Sequence, residues 1–130
     1  MFHTELTPLH NKNILVVETP KCLRDLKYYI ARLTRAHIFT YEEIPEDWTE
    51  WLLVYGIDAA LMHARLIYDS EKIIKAHSLG LPMVILVSRE MHGEEKAEQN
   101  LRDIGITTQD KYTGVECWNQ ALAKLATLVK

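Results

Sequence analysis

A chain of 130 residues with 48% hydrophobic and 25% charged residues has the length and make-up of one globular domain. Its formal net charge is −3 and its Lys and Arg are scattered, which leaves no electrostatic grip on nucleic acid or on an anionic membrane. No apolar run approaches the roughly 20 residues of a membrane-spanning helix, and the start lacks the basic and apolar regions of a signal peptide. A cytoplasmic location is therefore expected.

Residues 1–11 have no sustained period and contain Pro8, so they read as a leader or linker ahead of a domain over 12–130. Asn13-Ile14-Leu15-Val16-Val17-Glu18 is a continuous apolar run ended by an acid, as in a central parallel strand covered on both faces. Thr19 and Pro20 suit a helix cap and first helical position. Leu23, Leu26, Ile30 and Leu33 then recur at helical spacing, with Lys21, Arg24, Lys27 and Arg32 off that stripe. Ala36 to Tyr41 is a second strand, mixed enough in polarity for an edge.

Pro45 is expected to open a helix with Trp48, Trp51, Leu52 and Tyr55 as its core face, stopped by Gly56. Gly56 to His63 reads as a third, buried strand ending in a polar residue. Ser70 is expected to cap a helix through Ile73, Ile74 and His77 that ends at Gly80. Pro82 to Ser88 is another buried strand. Glu94 to Ile104 reads as a polar helix anchored by Ala97, Leu101 and Ile104, with the charged run from Arg89 to Lys96 as a solvated loop and helix start. Ile106 to Thr113 is a weak, polar strand, and Val115 to Val129 an amphipathic helix on Trp118, Leu122, Leu125 and Leu128.

Strand and helix alternate five times, which implies a parallel sheet with helices on both faces. Placing the most apolar strands centrally and the most polar at the edges gives the order 2-1-3-4-5, a three-layer α/β/α sandwich of flavodoxin-like (CheY-like) type. In such sheets chemistry gathers at the carboxyl ends of the strands, where His63 falls. Cys22 and Cys117 match no zinc or redox spacing and read as small helix residues. The six histidines show no paired metal-site spacing. With 5 glycines, none of which follows strand one, there is no P-loop, dinucleotide fingerprint or flavin phosphate loop, and no nucleophile elbow either. No cofactor, no metal and no enzymatic activity are expected.

The first-strand motif Lys12-Asn13-Ile14-Leu15-Val16-Val17-Glu18 resembles that of receiver domains in hybrid sensor histidine kinases. The spacing to Asp58-Ala59-Ala60-Leu61-Met62-His63 and to Val84-Ile85-Leu86-Val87-Ser88 is similar to that of response-regulator receivers in general, over nearly the whole chain. The resemblance implies a phosphoryl-accepting pocket: two acids after strand one, an aspartate ending strand three, a hydroxyl ending strand four and a lysine ending strand five. Carboxylates would hold magnesium while the aspartate attacks phosphorus. Here the acid pair is Glu18 and Thr19, the aspartate position is His63, and Ser88 keeps the hydroxyl. Counted without a gap from Gly105, the lysine position falls on Tyr112, with Lys111 one residue away and aimed at the opposite face.

Two of three carboxylates are thus missing, and the chain reads as a pseudo-receiver that is not phosphorylated. His63 is expected to fill the vacated pocket and hydrogen-bond Glu18 or Ser88. The resemblance implies a protein partner in phosphorelay signalling: a histidine kinase core, another receiver, or a second copy. The docking face would be the one formed by Glu94–Ile104, Ile106–Thr113 and Val115–Val129, or that of helix one. Two other readings are a phosphoryl acceptor using His63, for which imidazole is a competent nucleophile, and a small-ligand sensor using the pocket. A pH-sensing histidine is a further role that residue type permits.

Overall fold

The computed structural model describes residues 4–18, 20–88, 94–111 and 115–129, with backbone alone at 4, 5, 20–24 and 67. Thr19, residues 89–93, Tyr112 and Thr113 lie outside the described residues, as do the side chains of Lys21, Cys22, Leu23 and Arg24. Five parallel strands stand in the order β2-β1-β3-β4-β5: β1 (Asn13–Val17), β2 (His37–Tyr41), β3 (Ala59–His63), β4 (Met83–Val87) and β5 (Thr107–Asp110). They alternate with α1 (Pro20–Thr34), α2 (Trp48–Tyr55), α3 (Leu66–Ser78), α4 (Glu95–Asp103) and α5 (Val115–Val129). This is the flavodoxin-like three-layer sandwich, in the expected strand order.

The continuous apolar runs follow from two-sided burial, because successive strand side chains point to opposite faces. Leu15, Val17, Ala60, Met62, Met83, Ile85 and Val87 meet Trp48, Leu66, Ile73 and Leu101 from α2, α3 and α4. Ile14, Val16, Ala59, Leu61, Val84 and Leu86 meet Leu26, Ile30, Trp118, Leu122 and Leu125 from α1 and α5. No helix among the described residues is long and apolar enough to cross a membrane.

Several local expectations change. Within residues 1–11, Thr4–Leu9 forms a 3-10 helix whose Leu6 and Leu9 are buried in the α1–α5 core. The segment is too short for a period to show, yet two leucines suffice to seat it. Helix α2 begins at Trp48, three residues after Pro45; Trp48 and Leu52 are its buried residues, while Tyr55 is exposed. Gly56 does stop it, in the left-handed conformation at φ 60° that favours glycine.

Helix α3 begins at Leu66, so Ser70 is no cap. Asp69, buried, accepts a hydrogen bond from the Arg65 backbone N–H at 3.0 Å, and the Ser70 hydroxyl donates back to the Leu66 carbonyl. Ile104 is exposed rather than an anchor of α4, and Leu128 rather than part of the α5 stripe, where Cys117, Ala121 and Ala126 are buried instead.

Candidate functional site

The carboxyl end of the sheet brings three of the expected residues together. Strand β1 pairs with β3 so that Val17 lies beside Met62, and one step further puts Glu18 beside His63. The Glu18 backbone N–H donates to the Tyr41 carbonyl at 3.2 Å, fixing the residue where β1 leaves the sheet. On the other side, the Lys111 N–H donates to the Val87 carbonyl at 2.8 Å, which prolongs the β4–β5 ladder by one rung.

Face follows from parity. Glu18 shares it with Ile14 and Val16, and His63 with Ala59 and Leu61, all of which face α1 and α5. Lys111 shares it with Gln109, whose side-chain amide donates to the Cys117 carbonyl of α5. All three therefore point to the same side of the sheet.

Glu18 is the centre of the group. It is 1% exposed, and an unpaired carboxylate there would carry the cost of a buried charge. Its Oε1 accepts from His63 Nδ1 at 2.8 Å, and its Oε2 accepts from Lys111 Nζ. His63 and Lys111 are only 23% and 20% exposed, so all three side chains are largely withdrawn from water. The Lys111 ammonium also lies 4.6 Å from the centroid of the Trp118 ring on α5, within range of a cation–π attraction. A buried carboxylate is thus held between two donors, one of them braced by an aromatic face.

Of the remaining site residues, Ser88 follows β4, partly exposed and outside this hydrogen-bonded group among the described residues. Thr19 and Tyr112 are not among the described residues. Lys111, expected to be aimed at the opposite face, instead reaches Glu18, and the reason the sequence did not show this is physical. The polar run Thr107-Thr108-Gln109-Asp110 carries no apolar alternation to reveal which residues face α5, whereas Gln109 and Lys111 share a face in the structure. Trp118 reads as core from the sequence; its position three residues into α5 gives no sign that its ring also receives the Lys111 ammonium.

The donor set does not suit magnesium, which the receiver resemblance implies. Hard cations of this kind want carboxylate, phosphate and water oxygens. Both oxygens of Glu18 are taken by cationic or N–H donors, and the neighbouring strand end offers an imidazole. Glu18, His63 and Lys111 therefore do not make a magnesium site. What the arrangement can do is hold the carboxyl ends of β1, β3 and β5 together and orient the His63 ring through Nδ1.

Compared with known proteins, the chain matches no family model, no curated protein and no solved structure.

Proposed function

We propose that this domain is a non-catalytic pseudo-receiver that works by protein–protein contact in two-component phosphorelay signalling. In this reading it is a cytoplasmic segment of a hybrid sensor histidine kinase, and its partner is the kinase core or another receiver. The fold supports the reading, because strand order 2-1-3-4-5 gathers the ends of β1, β3 and β5 at one edge of the molecule. The observation that carries it is the Glu18–His63 hydrogen bond of 2.8 Å at the end of β3. An imidazole occupies the place where a receiver needs an aspartate nucleophile, and it ties up the acid that would otherwise help to hold a metal. Lys111, placed after β5, keeps the receiver-like lysine but commits its charge to Glu18.

Incubation with a small phosphodonor and Mg²⁺, followed by intact mass measurement, tests this reading. No stable added mass is expected. The His63 geometry favours one rival, since a carboxylate that orients an imidazole through Nδ1 is the arrangement a nucleophilic histidine uses. A phosphoryl adduct that disappears in His63→Ala would replace the pseudo-receiver by a phosphohistidine acceptor. The setting is checked separately by the coding sequence on either side of residues 1–130: a histidine-kinase or output domain is expected there, and neither being present would remove the hybrid-kinase assignment.

A further inference from the structure

At the amino end of the sheet, opposite the Glu18 group, the outer layer has a surface that the site chemistry does not explain. Leu53, Val54 and Leu79 are 81%, 77% and 63% exposed. Leu53 and Leu79 flank a groove of about 250 Å³ that also has Leu52, Ile57, Leu81 and Pro82 in its wall. Leu53, Val54 and Leu79 together present on the order of 400 Å² of surface, within the range for the largest patch of a monomer and about half of the roughly 800 Å² that one partner brings to a stable interface. The loop beside it is held in place: Asn13 Nδ2 donates to the Gly56 carbonyl at 3.0 Å, and the Asn13 N–H donates to Asp58 at 2.8 Å.

We propose that this face is a two-fold interface with a second copy of the chain, in which α2 of each protomer lies along α3 of the other. Two features select a second copy. Apolar knobs and a groove with mainly aliphatic walls, Thr49 and Asp58 being its polar members, stand side by side on one surface, as a self-complementary contact requires. The charges complement each other in the same sense. Exposed Glu50 lies three and four residues before Leu53 and Val54 on α2, and exposed Lys75 lies four before Leu79 on α3, so each charge stands one turn from its leucine. Helices α2 and α3 both run from the carboxyl to the amino end of the sheet. A two-fold axis along them sets α2 against the partner's α3 in the same direction, with one protomer's Leu53 beside the other's Leu79 and its Glu50 beside the other's Lys75. The inference stands independently of the pseudo-receiver reading. It also uses a different face from the α4–β5–α5 and α1 faces that the resemblance implies.

Sedimentation equilibrium over a concentration series tests it. The wild-type chain is expected to be a reversible dimer, and Leu53→Glu to weaken the dimer roughly thirtyfold or more, as for an interface anchor. Leu53 is exposed, so an unchanged circular dichroism spectrum for this variant is expected too. Glu50→Lys and Lys75→Glu are each expected to weaken association, and the two together to restore it. A monomer at every concentration overturns the proposal, including a monomer that uses this face for a different protein. So does a dimer indifferent to Leu53→Glu, or a double charge reversal no better than either single one.

Discussion

Glu18 shows how one buried charge can organise the end of a sheet. A carboxylate 1% exposed persists there because two donors reach it from strand ends far away in sequence, His63 and Lys111. Glu18→Ala is expected to lower the free energy of unfolding by about 3 kcal/mol, read from urea denaturation midpoints, because both donors lose their acceptor. That figure sits at the lower end of the range for breaking a buried pair, since both donors keep some contact with water. Lys111→Met should also destabilise, by removing one donor from Glu18 and the cation from the Trp118 face. The Glu18→Leu/Lys111→Met double variant is expected to cost less than the sum of the Glu18→Leu and Lys111→Met effects, the non-additivity of groups in direct contact. Additive effects would mean that the ion pair contributes nothing. The Glu18–His63 contact was one of two that the sequence offered for His63, the other being Ser88, because all three residues end unmistakable apolar runs on neighbouring strands. The Lys111 contact was not legible, because its strand is polar and short.

Elements were legible in proportion to their apolar pattern. Strands β1, β3 and β4 announce themselves as unbroken apolar runs, and their two-sided burial is the reason. Helix starts were harder. At α3 the capping acceptor is Asp69, inside the helix and reaching back to the Arg65 N–H, and a search for a leading Ser or Thr passes over it. Asp69→Ala is expected to cost about 1 kcal/mol, whereas Ser70→Ala should be close to neutral in the same denaturation assay. The 3-10 helix at Thr4–Leu9 was illegible because six residues give no period, yet Leu9 is fully buried between α1 and α5. Leu9→Ala is expected to destabilise the domain by about 3 kcal/mol, as for a core leucine. A loss under about 0.5 kcal/mol, typical of an exposed position, would place the segment outside the cooperative unit.

For the whole molecule, the two ends of the sheet carry different kinds of surface. At the carboxyl end the described residues form a polar group centred on Glu18. The amino end carries a groove flanked by exposed Leu53 and Leu79. In the proposed reading the domain transmits by contact, since Glu18, His63 and Lys111 are committed to one another. The most direct test is a ¹H–¹⁵N NMR titration with Mg²⁺ and the phosphoryl mimic beryllofluoride, added to the intact chain. The closed Glu18–His63–Lys111 group predicts no saturable shift of the Glu18, His63, Ser88 or Lys111 amides. Saturable shifts centred on those four amides would contradict it and show a site still open to a metal and a phosphoryl group.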